Sequence, residues 1–262
     1  MKGRISWAQR IQHALDEDGF SLLAQPIIDF STGRVSQYEL LLRMTDEHGD
    51  LIPPGVFLYI AERLDLIQQI DAWVITNAIR LLAEHNGASD GVAIEINISG
   101  RSIGDRKLLE LIEHEIHASG VTPERLIFEI TETAAIEHIA KARRFAEHLG
   151  ELGCRFALDD FGAGFGSFYY LKHLPFDFLK IDGEFIARCA TGKTDQLVIQ
   201  ALVAIARGLG KQTIAEFVGD QETVRLLTRL GVDYGQGYLL GTPAPISELI
   251  GALGVSAPPP VA

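Results

Sequence analysis

Long apolar runs are missing from this chain. No uninterrupted hydrophobic stretch in its 262 residues approaches the roughly 18 that a membrane-spanning helix needs. The N-terminus, MKGRISWAQR, lacks the apolar core of a secretory signal. Cysteine is scarce too. Cys154 and Cys189 are the only two, and Cys154 opens an apolar strand, so no disulfide framework is indicated and a reducing compartment is the natural setting. These absences predict a soluble, cytoplasmic protein with no membrane insertion by this chain. Basic residues are outnumbered, 23 Lys and Arg against 35 Asp and Glu, for a net charge of −12. That excludes a sequence-independent grip on a nucleic acid polymer and reads as a solvated acidic surface. Internal linkers, repeats and low-complexity stretches are also lacking.

What is present is rhythm. With 47% hydrophobic and 22% charged residues the composition is ordinary for a globular protein, and the length suits one large α/β domain. Residues 4–17 place Ile5, Ala8, Ile11 and Leu15 at helical spacing, which predicts an amphipathic linker helix within 1–18. Strands follow at about 20–30 and 35–44. The four residues between them, Ser31-Thr32-Gly33-Arg34, are too few for a parallel crossover, so the pair is an antiparallel hairpin. Then come helices over 55–65 and 70–85, strand 92–98, helix 106–118, strand 125–131, helix 138–152 and strand 154–159. A helix near 166–173 precedes strand 177–182; helix 194–209, strand 211–217, helix 220–230, strand 232–239 and a last helix over 246–253 complete the pattern. Residues 254–262, ending in PPPVA, read as a disordered tail.

Eight strands, the last six each reached through a helix, imply parallel pairing by right-handed crossovers. At this length they imply a closed barrel. The predicted fold is a modified (β/α)8 TIM barrel over 19–253, with one strand of the first hairpin running against the rest. A doubly wound open sheet is the alternative, but no Gly-rich fingerprint follows the first strand.

One polar residue stands inside or at the end of almost every predicted strand: Gln25, Glu39, Asn97, Glu129, Asp159 with Asp160 behind it, Lys180, Glu216 and Gln236. A buried ionised carboxylate is strongly destabilising unless something pairs with it. One lysine among five carboxylates cannot neutralise them, so the set calls for metal cations. Sites in such barrels lie at the C-terminal ends of the strands. Asn97 ends VAIEIN, Glu129 lies near the end of LIFEIT, Asp159 ends RFALD and Glu216 ends QTIAE. Residues two apart share a face of a strand, so Glu95 and Asn97 point the same way and only one of them sits at the mouth. Oxygen ligands without His or Cys select Mg²⁺ or Mn²⁺ over zinc. The adjacent Asp159 and Asp160 reach different sides of a strand end and are suited to bridging two cations, the apparatus for in-line displacement at phosphorus.

These residues, in this order, resemble the EAL family of cyclic di-GMP phosphodiesterases, from about Gln25 to Pro243. The signature stands as Glu39-Leu40-Leu41, followed by Leu42-Arg43. Further blocks are Ile96-Asn97-Ile98-Ser99, Glu129-Ile130-Thr131-Glu132, Asp159-Asp160-Phe161-Gly162-Ala163-Gly164, Leu179-Lys180-Ile181-Asp182, Ala215-Glu216 and Gln236-Gly237-Tyr238. The resemblance implies hydrolysis of cyclic di-GMP to linear pGpG with two divalent cations, Mg²⁺ or Mn²⁺. Ca²⁺ is expected to occupy an oxygen-only site yet inhibit, because its larger, looser coordination spoils a two-cation clamp. It implies Glu39, Asn97, Glu129 and Asp159 as ligands of a first cation, with Asp159 shared and Asp160 serving the second. By the same resemblance Glu216 is a general base or second-cation ligand, and Lys180 holds the attacking water or the phosphate. Glu132 anchors the metal-covering loop, and Gln25, Arg43 and Gln236 contact substrate, with Arg43 suited to a phosphate oxygen. A homodimer and a fused or partner GGDEF or sensory domain belong to the same expectation.

Two stretches depart from the family pattern. AEGVE stands here as Ala215-Glu216-Phe217-Val218-Gly219, and DFGTGYSS as Asp160-Phe161-Gly162-Ala163-Gly164-Phe165-Gly166-Ser167. Losing two hydroxyls and gaining a glycine predicts a looser loop over 160–167. A catalytically impaired domain acting as a cyclic di-GMP receptor or protein-interaction module is the alternative function. Its mark is ligand loss, and every ligand position here is intact. Plainer readings stand beside single residues. Lys180 shares a face with Asp182 and would pair with it, and Gln236 between two glycines suits a turn. Thr191-Gly192-Lys193-Thr194 has Ala187 where a Walker motif needs glycine, so it reads as a surface loop. His114 and His117 are one residue short of zinc-protease spacing and read as a wet helix face.

Overall fold

The computed structural model describes residues 6–84, 92–162 and 170–245. Its frame starts from the short turn. β1 (Phe20–Asp29) and β2 (Val35–Thr45) are antiparallel, with Gln25 opposite Glu39. Asp29 organises the reversal: its Oδ1 accepts from the amide and the hydroxyl of Ser31, each at 2.7 Å. Gly33 closes the turn at a φ of 69°, a left-handed value that suits glycine. A two-residue strand, β3 (Leu51–Ile52), pairs with the far end of β2.

Six further strands run parallel to β2: β4 (Ala93–Asn97), β5 (Leu126–Thr131), β6 (Arg155–Phe161), β7 (Phe178–Ile181), β8 (Gln212–Ala215) and β9 (Tyr234–Gln236). β9 pairs antiparallel with β1, and that pairing closes an eight-stranded barrel in which β1 alone opposes the rest. β10 (Ala244–Pro245) adds a short edge to β1.

The helices around it are α1 (Trp7–Asp16), α2 (Pro54–Arg63), α3 (Ile67–Glu84), α4 (Arg106–Ser119), α5 (Glu132–Glu137), α6 (Ile139–Glu151), α7 (Gly183–Arg188), α8 (Lys193–Gly208) and α9 (Gln221–Leu230). Their ends follow capping chemistry. Ser6 and Gln9 form a reciprocal capping box on α1, and Asp220 accepts the Thr223 amide of α9 at 2.8 Å. Gly120 and Gly231 end α4 and α9 in left-handed backbone, where glycine has no Cβ penalty. Among the described residues no helix is long and apolar enough to cross a membrane.

The expected elements over the described residues are present, with these differences. The short helices α5 and α7 were not expected, and each directly follows a strand: Thr131 caps the first by accepting from the Ala134 amide, and Asp182 caps the second by accepting from the Glu184 amide at 2.6 Å. The strand expected over 232–239 contracts to β9, because residues after Gln236 turn back through Leu240 N–H to Gly237 O at 2.9 Å. Near 166–173 the described part is a single 3-10 turn, Tyr170–Lys172. β3, β10 and a 3-10 turn over Pro123–Arg125 were unforeseen as well. The rest of that helix, most of the loop over 160–167, the helix over 246–253 and the tail lie outside the described residues. α1 packs its buried Ile11 and Ala14 against the body of the domain, and His114 and His117 are exposed on α4.

Two apolar clusters hold the architecture. One fills the space between barrel and helices. The other lies inside the barrel floor and consists of Ile27, Ala93, Ile127, Ala157, Phe178 and Ile214, with Tyr234 packed against it. Because strand side chains alternate, the next inward residue along each strand stands one layer above that floor. This places Gln25, Glu95, Glu129, Asp159, Lys180, Glu216 and Gln236 in a single polar layer toward the mouth.

Candidate active site

Lys180 is the centre of that layer. Its side chain is fully buried, and its Nζ reaches carboxylates from five strands or strand ends. It donates to Glu129 Oε2 at 2.9 Å and lies 3.1 Å from Glu216, 3.3 Å from Asp159, 3.6 Å from Glu39 and 3.9 Å from Glu95. The expected partner, Asp182, takes no part, since its carboxylate caps α7. Burial works against the ammonium, but Asp159, Glu129, Glu216 and Glu39 outweigh it and hold the lysine well above its ordinary value.

One cation against five carboxylates leaves charge uncompensated, and the carboxyls register it. Burial pushes Glu129 well above the ordinary carboxylate range, Glu216 up to about 8 and Glu95 up to about 7, despite Lys180. Glu39 goes the other way. Burial opposes its charge, but Lys180 and the amides of Gln236 and Asn97 prevail and keep its carboxyl below the ordinary range. Glu129 Oε1, Asp159 Oδ1 and Glu95 Oε2 are buried and have no hydrogen-bond partner among the described residues. Asp159 Oδ1 is near Lys180 but poorly aligned for a hydrogen bond. Unpartnered buried carboxylate oxygens, with no His or Cys among them, fit hard divalent cations.

Amides orient the first acid. Asn97 Nδ2 donates to Glu39 Oε1 at 2.9 Å. Gln236 Nε2 donates to Glu39 Oε2 at 2.7 Å and to Gln25 Oε1 at 3.2 Å. Gln25 in turn donates to the Gly241 carbonyl at 3.0 Å. Gln236 is thus a buried part of the site rather than a turn residue, and the glutamines join the two neighbours of β1.

The paired aspartates depend on a break in the ladder. β6 and β7 lose register between Leu158 and Phe161, and Asp160 takes a φ of 53°. Regular alternation would send Asp159 and Asp160 to opposite faces; the break brings both to the mouth. Oxygens of Asp159, Asp160 and Glu216 all lie within 4.8 Å of one another, a grouping able to hold a cation. Burial, then the neighbouring Asp159 and Asp182, lift the Asp160 carboxyl to about 6. Glu216 is followed by Phe217, also at a φ of 53° and 73% exposed, with its ring over Gly183. Left-handed backbone in a bulky residue is strained, and such strain gathers at functional sites.

Two expected positions stand at the edges. Glu132, buried, accepts the Gly162 amide at 2.8 Å through Oε2, at the point where the 160–167 loop departs. Arg43 shares the inward face of β2 with Glu39, four residues nearer the mouth, and donates to the Leu42 carbonyl at 2.8 Å.

Three features were missed from sequence. Glu95 belongs to the ring, one layer below Asn97, and is held by the Gln37 amide. Asp71 on α3 is buried, pushed up to about 7 by that burial, and accepts the Ser99 amide, while Glu62 accepts the Ser99 hydroxyl at 3.0 Å. Both acids line a cavity of about 260 Å³ that runs from Glu39 and Asn97 back between apolar walls that include Pro54, Leu58 and Val74. Helical polar spacing gave no sign that these acids face inward.

The EAL domain family profile matches residues 8–243. Cyclic di-GMP phosphodiesterase PdeB of Shewanella oneidensis is 36% identical over 243 residues, covering 92% of this chain and 28% of that protein. Cyclic di-GMP phosphodiesterase PdeF of Escherichia coli K12 is 34% identical over 250 residues, covering 95% and 33%. This chain therefore spans about a third of the length of these curated relatives. Among solved structures, the FimX EAL domain from Pseudomonas aeruginosa bound to c-di-GMP superposes with a TM-score of 0.86 at 33% identity, over 92% of this chain and 97% of that one. Profile, relatives and barrel agree, and the chain belongs to the EAL domain family.

Proposed function

We propose that this chain hydrolyses one phosphodiester of cyclic di-GMP to give linear pGpG, lowering that second messenger in bacterial signalling. The observation that carries the reading is the buried ring of five carboxylates around one lysine, with unpartnered oxygens at the C-terminal mouth. In this reading Glu39, Asn97, Glu129 and Asp159 hold one divalent cation, Mg²⁺ or Mn²⁺, and Asp159, Asp160 and Glu216 hold a second. Such cations supply an activated water and charge neutralisation at phosphorus.

The remaining steps belong to the chain's own groups. Glu216 stands beside Asp159 and Asp160 at the mouth, placed to take the proton of the attacking water. Lys180 steadies the attacking water or a phosphate oxygen. Arg43, above Glu39, meets a phosphate oxygen. Gln25 and Gln236 flank the bond to be cleaved. Glu132 fixes the start of the covering loop at Gly162. The cavity beside Glu39, at about 260 Å³, suits a flat base between aliphatic walls. Asp71 and Glu62 at its end offer carboxylates to the N–H edge that guanine presents and adenine lacks.

Incubation with cyclic di-GMP and Mg²⁺ or Mn²⁺, followed by chromatography, tests the reading; pGpG is the expected product. Substrate left intact by both metals while binding persists would make the domain a receptor instead, the reading that the c-di-GMP-bound FimX domain keeps in view. Ca²⁺ is expected to occupy the site with little turnover, because its larger and looser coordination spoils a two-cation clamp. The homodimer and the GGDEF or sensory neighbour are part of the same proposal, and sedimentation of this chain with and without cyclic di-GMP tests the dimer.

A further inference from the structure

The polar layer contains one carboxylate that the proposed cations leave alone. Glu95 precedes Asn97 by two residues on β4, on the same inward face and one layer nearer the floor, and it is fully buried. Its Oε1 accepts from Gln37 Nε2, and Gln37 is the inward residue of β2 just below Glu39. The amide holds that carboxyl down. The other oxygen, Oε2, has no hydrogen-bond partner among the described residues and faces Lys180 Nζ at 3.9 Å.

The four nearer carboxylates of Lys180 are Glu129, Glu216, Asp159 and Glu39. All four belong to the set that holds cations in the function proposed above. Once engaged there, they give the ammonium much less compensation, and a buried charge without a partner is strongly destabilising. Glu95 differs in what lies above it: Asn97, the next inward residue of β4, stands between it and the mouth.

We propose that Glu95 is a positioning residue, the counter-ion that keeps Lys180 under the mouth when the other carboxylates around it are engaged. Gln37 serves it by fixing its carboxyl. The lysine then has two sets of partners: the four nearer acids while the mouth is free of cations, and Glu95 in both states. This inference rests on the functional reading for the engaged state and adds a residue to it, one that acts through Lys180 rather than on the substrate.

A double-mutant cycle on urea unfolding of the full chain tests it, pairing Glu95→Gln with Lys180→Met in EDTA and in saturating Mn²⁺. A second cycle pairs Glu216→Gln with Lys180→Met. The expected Glu95–Lys180 coupling is about tenfold in the unfolding equilibrium constant and persists in Mn²⁺, while the Glu216–Lys180 coupling collapses there. A Glu95 coupling that vanishes in Mn²⁺, or that is below about twofold in both conditions, overturns the proposal. The cycle reads no turnover, so its failure is distinct from a failure to hydrolyse cyclic di-GMP. A wild type unmoved by Mn²⁺ sinks the functional reading and the engaged state together. Where Lys180→Met proves too unstable to measure, Glu95→Gln alone decides. The expected result is kcat lowered about tenfold with KM and Mn²⁺ affinity within about twofold. Unchanged kcat, or KM and Mn²⁺ affinity lost together with kcat, overturns it.

Discussion

Two layers of the same barrel, one residue step apart, obey opposite rules. The floor layer is apolar: Ile27, Ala93, Ile127, Ala157, Phe178 and Ile214 pack together with Tyr234 beside them. The layer above carries Glu95, Glu129, Asp159, Lys180 and Glu216 on the strands that supply that floor, with Glu39 joining from β2. Burying apolar surface at the floor stabilises the fold by about 25 cal/mol per Å² removed from water. Burying five carboxylates around one ammonium does the reverse, and raised carboxyls are the physical trace of that strain. The contrast separates what holds the barrel closed from what the barrel is for. A fold that tolerates such a layer keeps it for chemistry, and the layer's cost is borne by the floor beneath and by the helix-facing core around it.

Two substitutions break the comparison from either side. Glu216→Gln is expected to lower hydrolysis of cyclic di-GMP by about 10²–10⁴-fold, the range for losing a general acid–base group. Cyclic di-GMP binding should survive. Above about pH 8, where the wild-type carboxyl is charged, the cation-free protein should gain in melting temperature, because one member of a crowded carboxylate ring has become neutral. Near-normal turnover would remove Glu216 from the chemistry, and a lower melting temperature would show that its charge stabilises the fold. Phe178→Ala, one layer down, should do the opposite. A fully buried phenylalanine truncated in a packed floor loses about 3–5 kcal/mol of stability. Measured on the fraction that remains folded, kcat should change little. Loss of kcat without loss of stability would mean that the floor positions the ring more directly than packing implies.

Much of this contrast was legible beforehand because strand alternation is a strict geometric rule. Once eight strands were counted, Asn97, Glu129, Asp159, Lys180 and Gln236 had to face inward, and the turn at 31–34 had to reverse the chain. Height was harder. Glu95 and Asn97 share a face, but only the register of β4 against β2 and β5 shows that Glu95 falls below the mouth and still reaches Lys180. Asp159 and Asp160 come together at the mouth through a break in the β6–β7 ladder, which no periodicity announces. Asp71 and Glu62 sit on helices, where an inward acid and a solvated one carry the same spacing. Asp182 misled for the complementary reason: it shares the face of Lys180 on paper, yet the chain has left β7 by then and begun α7.

The pH dependence of stability sharpens the comparison further. Folded carboxyls lifted to about 8 at Glu216 and about 7 at Glu95, with Glu129 also raised, bind protons that the unfolded chain releases near its ordinary value of about 4.3. Their contribution is complete below that ordinary value and is lost as pH rises through the folded ones. Glu39, held below the ordinary range, and Lys180, held above its own, titrate outside this window. In EDTA the melting temperature is therefore expected to fall between about pH 5 and 8. Saturating Mn²⁺ should flatten or reverse that slope, since cations favour the deprotonated oxygens. Equal slopes in EDTA and Mn²⁺ would mean that the ring binds no cation.

The smallest expected effect lies at the edge of the polar layer, in the cavity that leads from Glu39 and Asn97 to Asp71. Asp71→Asn keeps the shape of the side chain and an oxygen able to accept from the Ser99 amide. It removes the carboxylate offered to a guanine N–H edge, and it also relieves a buried acid that burial has pushed up to about 7. Stability should therefore hold or rise slightly while KM for cyclic di-GMP increases about tenfold, equivalent to about 1.4 kcal/mol, with kcat nearly unchanged. The split is what matters. A fall in kcat with KM unchanged would instead mean that Asp71 acts through Ser99 on the placement of Asn97, two residues away in the chain, and the cavity would lose its claim on the base. A loss of melting temperature would mark Asp71 as part of the packing, on the floor's side of the comparison.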